Sequence, residues 1–369
     1  MKYSFSKNMA FALLMLGAPL KGVTQTVDPI DIVTNAVPFL RISPDARAGG
    51  MGETGIATSP DANATFYNQA KAAFLSHPKG VAVTYTPWMK SYGVDGMYLL
   101  NASGYYKLDS TEAITVGVRY FDLGSIELTD IEGKRLGNSN PNEWSAEVGY
   151  TRQLGSKMSI GVAFRYIYSN LASGADGTGV NYKAGSTVAG DIALFYNGRN
   201  EQGEGWNFGA VLSNLGGKIA YTDQASQKEY IPANLGIGAS YAKVLSGQHS
   251  LSFGLDINKL LVPAVSADDP ASLEKYRNQS VVGGWFRSVG NKAYTGSLGM
   301  EYDYMHQLFL RAGYFHDSRK EANRRYFTLG AGFAYSIARI NISYAIPAGS
   351  DLSRNPLSNT LRFGLAVNL

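Results

Sequence analysis

Hydrophobic and polar residues alternate with a period of two over long parts of this chain, most regularly at its C-terminal end. Leu361, Phe363, Leu365, Val367 and Leu369 fall on one face, and Arg362, Gly364, Ala366 and Asn368 on the other. Successive side chains of a strand point to opposite sides, so this is a strand with one apolar face. The same pattern recurs upstream. Ile340, Ile342, Tyr344 and Ile346 alternate with Arg339, Asn341 and Ser343, and Phe327, Leu329, Ala331 and Phe333 alternate with Thr328, Gly330 and Gly332. Leu251, Phe253, Leu255 and Ile257 repeat it, as do Ile160, Val162, Phe164 and Tyr166.

The alternation predicts fourteen strands: 80–85, 95–108, 113–122, 143–153, 158–169, 187–197, 206–213, 233–242, 249–258, 294–302, 308–315, 326–335, 339–346 and 360–369. Their connections alternate in length as well. Short turns at 109–112, 154–157, 243–248, 303–307 and 336–338 contrast with long connections at 123–142, 170–186, 214–232, 259–293 and 347–359. An even number of antiparallel strands, short turns on one side and long loops on the other are the marks of a bacterial outer-membrane barrel. Within the longest connection, a helix is expected from Pro270, and Val281–Ser288 is placed in the loop rather than the wall. A soluble sandwich also alternates, but the tyrosines here gather near strand ends, where interfacial girdles lie.

The N-terminal fifth does not alternate. Lys2 and Lys7 precede an apolar run from Met9 to Leu16, too short to span a bilayer, and Gly22-Val23-Thr24 offers small residues for cleavage. Residues 1–24 therefore read as a secretory signal. Residues 25–79 read as an internal hatch, because Val37, Phe39, Leu40, Phe66, Phe74 and Leu75 are too apolar for a solvated tail. Ser59-Pro60-Asp61 has the form of a helix start, and a following helix would set Phe66, Ala70 and Phe74 on one face. The domains expected are thus 1–24, 25–79 and the barrel 80–369, an all-β antiparallel transmembrane barrel with short helices in its hatch.

Composition narrows the function classes. Charged residues make up 17% of the chain, against about 25% in soluble domains. The net charge of +4 is spread along the sequence without a basic block, which argues against nucleic acid as a partner. There is no cysteine, hence no disulfide framework and no thiolate metal site. Facing the lumen, the alternation places Arg119, Glu147, Arg165, Asp191, Asp256, Glu301, Arg311, Arg339 and Arg362 among many Gly, Ala, Ser and Thr. Charges of both signs there form either a polar conduit or a paired network that holds the interior together; the network is the simpler reading.

Candidate chemistry is sparse. Gly50-Met51-Gly52-Glu53-Thr54-Gly55 fits the dinucleotide fingerprint, but no strand precedes it and no alternation of strands and helices surrounds it. These glycines read as places where hatch backbone turns and packs closely. His77, His249, His306 and His316 are scattered over turns and strand ends. No catalytic, metal or cofactor constellation emerges, and the chain reads as a protein without turnover.

Blocks across the mature chain go further. They include Phe39-Leu40-Arg41-Ile42-Ser43-Pro44-Asp45-Ala46-Arg47-Ala48-Gly49-Gly50-Met51-Gly52-Glu53-Thr54-Gly55 and Asp61-Ala62-Asn63-Ala64-Thr65-Phe66-Tyr67-Asn68-Gln69-Ala70-Lys71. Leu212-Ser213-Asn214-Leu215-Gly216-Gly217, Leu255-Asp256-Ile257-Asn258-Lys259-Leu260-Leu261-Val262-Pro263 and Asn359-Thr360-Leu361-Arg362-Phe363 follow in order. Together they resemble the PorV family, outer-membrane proteins of the type IX secretion system of Bacteroidetes, itself similar to the FadL-like barrels. The resemblance implies a fourteen-stranded barrel with a hatch, in the outer membrane of a Gram-negative, Bacteroidetes-type cell.

It also implies a role. Such proteins accept cargo by its C-terminal signal domain as it leaves the translocon barrel. They deliver it to a sortase-type attachment complex, where it is joined to lipopolysaccharide. The implied partners are therefore cargo C-terminal domains, the translocon barrel, the sortase complex and outer-membrane lipid or lipopolysaccharide, with no cofactor. Two alternatives accompany this: a FadL-like channel for hydrophobic small molecules, and a lipopolysaccharide deacylase. Asn68-Gln69-Ala70 carries Gln where the FadL hatch has Pro, which counts against uptake through a hatch kink. Partner surfaces are expected on the outer loops, where aromatic residues and Met suit interface cores. The candidates are Trp88, Met89 and Tyr92 in loop 86–94, and Trp285 and Phe286 in loop 259–293, beside Leu260, Leu261 and Val262.

Overall fold

In the computed structural model, described for residues 31–369 apart from 34, 90–95, 130–131, 172–173, 176–180, 223–227, 267–268, 319–323 and 349–358, fourteen antiparallel strands close into one barrel. They are β1 (Lys79–Pro87), β2 (Met97–Lys107), β3 (Glu112–Leu123), β4 (Asn142–Gln153), β5 (Met158–Asn170), β6 (Gly185–Asn197) and β7 (Gly205–Gly216). The second half comprises β8 (Asn234–Ser246), β9 (His249–Leu260), β10 (Tyr294–Tyr304), β11 (Leu308–Asp317), β12 (Arg325–Tyr335), β13 (Ala338–Pro347) and β14 (Leu361–Asn368). Each strand pairs with its neighbours in sequence, and β1 closes on β14 from Gly80↔Asn368 to Tyr85↔Phe363. Every strand expected from alternation is present, and the ends move by a few residues at most. The signal segment expected at 1–24 lies outside the described residues.

The outer surface of the wall is the apolar face. Val81, Val116, Val148, Phe164, Phe208, Ile257, Leu298, Leu329 and Leu365 all point outward and are exposed. Strands of 11–13 residues such as β2–β8 are long enough to cross a bilayer when tilted. Aromatic rings gather at both ends. At the loop end Tyr98 lies 5.7 Å from Tyr85, and Trp144 stacks on Tyr168 at 5.7 Å. At the turn end Trp206 meets Tyr241 at 5.0 Å and His249 meets Tyr304 at 5.0 Å. These are the two interfacial girdles.

Residues 31–78 run down the lumen from the outer mouth to the periplasmic end. At the mouth, Asp31–Ile32 pairs with Val265–Ser266 of the long loop, and Ala36 donates its amide to the Tyr230 carbonyl. Midway, α1 (Ala46–Gly50) starts at Asp45, whose carboxylate accepts from the Arg47 and Ala48 amides. At the far end the Ala70 and Ala73 carbonyls accept from Ser159 and Gln153. The helix expected after Pro60 is not one helix. The chain forms α2 (Ala64–Tyr67), breaks at Asn68, and continues as a 3₁₀ segment, Gln69–Phe74. Asn68 takes an extended backbone, and its side chain binds the Ala70 amide and the carbonyls of Ile56 and Leu194. Ser59 serves Arg47, and Asp61 binds both Arg47 and the Asn63 amide just before α2. Ala70 and Phe74 pack with Ile56 and Phe195, while Phe66 turns elsewhere.

Glycine makes the hatch fit. Gly52 has φ +64, and a Cβ there would lie 2.5 Å from the Leu298 carbonyl oxygen. Its wall partner Gly313 is as tight, with an added Cβ 2.1 Å from the Gly52 nitrogen. The fingerprint-like Gly50–Gly55 run is thus a backbone-to-wall contact, as its lack of a flanking strand implied.

Candidate functional site

Two regions hold the residues singled out by sequence: the lumen wall and the outer loops. In the lumen, the charged residues are engaged with the hatch, with each other or with aromatic rings. Arg47 of the hatch donates to both Glu301 oxygens, at 3.0 and 2.8 Å, and to Asp61 at 2.7 Å. Arg311 reaches the same Glu301 at 2.6 Å and Asn341 at 2.9 Å. Glu53 accepts from Arg362 at 2.9 Å and from the Tyr326 hydroxyl at 2.6 Å. Asp256 accepts from the backbone amides of Gly55 and Ile56. Across the lumen, Arg165 is shared by Glu147, Asp191 and Asn214. Arg339 lies over the Phe309 ring at 4.3 Å, and Arg119 over the Phe66 ring at 4.2 Å.

This is the network reading with one addition: the hatch supplies half of it. Sequence analysis did not single out Arg47 and Glu53. Their signal was available, since they are charged residues in a segment whose apolar content already argued for burial. A buried charge needs a partner, and the inward Glu301 and Arg362 were already identified.

Where hatch and wall separate, in the outer half of the lumen, a cavity of about 90 Å³ remains, with Arg41, Ser43, Asn214, Asn258 and Arg324 among its walls. Among the described residues no cluster of His, Asp and Glu is arranged to hold a metal.

The outer loops sort the aromatic candidates. Trp88 is a correction: it is 6% exposed and packs edge-on against Phe121 at 5.6 Å. Its ring joins Phe39, Leu40, Leu99 and Ile167 in an apolar lid over the hatch, with Met89 half-buried beside it. Trp88 turns inward because those side chains offer its indole an apolar contact that removes it from water. Tyr92 lies outside the described residues. Leu260, Leu261 and Val262 are buried under the long loop as well.

That loop carries α3 (Pro270–Asn278), capped by Asp269, and α4 (Val281–Ser288), capped by Ser280. Both are anchored on the neighbouring loop. Lys218 donates to the carbonyls of Tyr276, Arg277 and Gln279 at 2.8–2.9 Å and lies 4.1 Å over the Tyr230 ring. Burial, reinforced by Lys228, pushes the Lys218 ammonium below the usual lysine value. Gly284 sits against the Tyr230 hydroxyl, so Gly284 and Ser288 form the inner face of α4. Val282, Phe286 and Val289 form the opposite face, and Phe286 is 77% exposed. Trp285 is half-buried at its edge.

A closed fourteen-stranded barrel, apolar outside and plugged by its own N-terminal segment, defines an outer-membrane barrel of the plugged class. Residues 25–267 match the family model of the type IX secretion system protein PorV, and the chain belongs to that family. Among solved structures it is similar to the toluene transporter TodX of Pseudomonas putida (TM-score 0.55, 13% identity, 89% of this chain and 98% of that one). It is also similar to the toluene transporter TbuX of Ralstonia pickettii (TM-score 0.52, 12% identity, 88% and 97%) and to the monoaromatic hydrocarbon channel CymD (TM-score 0.54, 14% identity, 88% and 97%). At these identities the likeness concerns the fold. No curated protein sequence matches the chain.

Proposed function

We propose that this barrel is a carrier for protein export: it takes secreted cargo by its C-terminal signal domain at the translocon barrel and passes it to the sortase-type attachment complex. The observation that carries this reading is family membership over residues 25–267. The geometry supports it in two ways. The lumen is filled by a hatch bound to the wall through buried ion pairs, which leaves little use for a pore. The outer side presents a fixed helix with an exposed apolar face, Val282, Phe286 and Val289, with Trp285 at its edge. Exposed apolar faces of this kind mark partner surfaces, and here the partner is the cargo signal domain. The protein then acts by binding, without turnover, in a Bacteroidetes-type cell.

The hydrocarbon-channel reading draws on the shared fold. A channel for apolar molecules needs an apolar pocket of several hundred Å³. The cavity here is about 90 Å³, and Arg41, Arg119, Asn214 and Asn258 stand in its walls beside Leu40, Phe66 and Phe315. The deacylase reading needs a nucleophile and base at the outer leaflet. Among the described residues, His306 meets Asp303 and His249 meets Tyr302, both at the periplasmic end.

The test is deletion of the gene followed by locating one abundant cargo. The carrier reading expects cargo with its signal domain uncleaved, held in the periplasm or at the translocon. Cargo that reaches the surface processed and attached rejects it.

A further inference from the structure

We propose that the lumen cavity is a binding site for a small oxyanion, a carboxylate or phosphate, with Arg119 as its principal ligand. The cavity has hatch on one side and wall on the other. Three of the four guanidinium groups around it need comparison. Arg165 is saturated by Glu147, Asp191 and Asn214. Arg324 is paired with Asp317. Arg119 differs: the residue is 3% exposed, yet among the described residues its hydrogen bonding is confined to Nη1, which donates to the Leu40 carbonyl. The Phe66 ring covers one face of the guanidinium. Among the described residues its Nε and Nη2 have no hydrogen-bond partner, and the side chain lines the cavity.

The carboxylates in the lining do not meet this need. Glu53 is held by Arg362 and Tyr326, and Asp256 by two backbone amides. A guanidinium edge without acceptors in a low-dielectric interior is costly, and a bidentate oxyanion is the acceptor that suits it best. Ser43, Ser213 and Asn258 add neutral polar groups around the same space. A water needs roughly 10–15 Å³ of such volume, so about 90 Å³ takes a phosphate or an acetate with a water or two. An ion there touches hatch and wall together, so its binding favours the docked hatch. This reading stands apart from the export role and would hold for a barrel of any function.

Melting of the purified barrel in detergent, at constant ionic strength, compares phosphate and acetate on the unaltered protein and on Arg119→Gln. General salt effects act on both proteins alike. Specific binding raises the melting temperature of the unaltered protein by about 2–4 °C more than that of the variant. A response to phosphate alone assigns a phosphate ligand, and a response to acetate alone a carboxylate. Crystals soaked in selenate give a second reading that needs no variant: an anomalous peak beside Arg119 is expected. Equal shifts in both proteins, or, should Arg119→Gln fail to fold, no selenate at Arg119, overturn the proposal and leave water in the cavity.

Discussion

The lumen and the outer loops place residues against their usual preference for water in opposite senses. Inside, Arg47, Glu53, Glu301, Arg311 and Arg362 are buried and spend their charge on one another. Outside, α4 turns its small residues inward and its apolar ones out. Charge where water is excluded and apolar surface where water is plentiful both invert the usual economy of a soluble protein. The first inversion is resolved within the chain, by pairing hatch to wall. The second is not resolved among the described residues, which makes it the place to look for a partner.

The largest effect that would break this contrast lies in the lumen. Glu301→Ala strands Arg47 and Arg311 together, and loss of one member of a buried pair costs about 3–5 kcal/mol. Denaturant unfolding of the micellar barrel should show it, and a change below about 1 kcal/mol would mean that the lumen pairs are solvated. Next comes Gly313→Ala, whose added methyl meets Gly52 backbone. About 1–3 kcal/mol of destabilisation is expected, read as faster proteolysis of the hatch in the folded barrel. Phe286→Ser should change stability by no more than about 0.5 kcal/mol, while reducing the cargo that co-purifies with the barrel. Unchanged co-purification would remove α4 as the cargo surface.

The smallest effect is in the turn between β2 and β3. Asp109 accepts from the Thr111 amide and hydroxyl and from the Glu112 amide, and these bonds hold its carboxyl below the usual carboxylate range. A depressed folded pKa contributes stability above the unfolded value, near pH 4, and that contribution fades as pH falls through the folded value. Protection of the Thr111 amide, taken relative to its intrinsic exchange rate at each pH, should therefore fall below about pH 4, and Asp109→Ala should abolish that change.

The wall was legible because lipid outside and a crowded lumen inside impose one period on every strand. Leu361 to Leu369 state that period without ambiguity. Loop lengths then gave the orientation, and the inward charges followed from parity alone. What parity cannot give is the partner. Glu301 and Arg47 lie 254 residues apart, and hatch packing has no period to read. The hatch helix failed for a related reason: Asn68 had two distant carbonyls, of Ile56 and Leu194, to gain by leaving the helix, and local signals at Ser59-Pro60 do not see them. Trp88 went astray because an aromatic in a loop looks alike whether it covers the hatch or awaits a partner.

The central claim is that this barrel acts from its outer surface with the hatch in place. The chain has no cysteine, so a designed pair can lock it. A Cβ on Gly364 would stand 3.2 Å from that of Ala46, close to the separation that a disulfide spans. Ala46→Cys with Gly364→Cys should fix α1 to β14 in the oxidising periplasm. Cargo processing and surface attachment at the unaltered rate, with the disulfide shown to be formed, is the predicted result. Export that stops in the locked protein and resumes on reduction would contradict it, because the hatch would then have to move for cargo to pass.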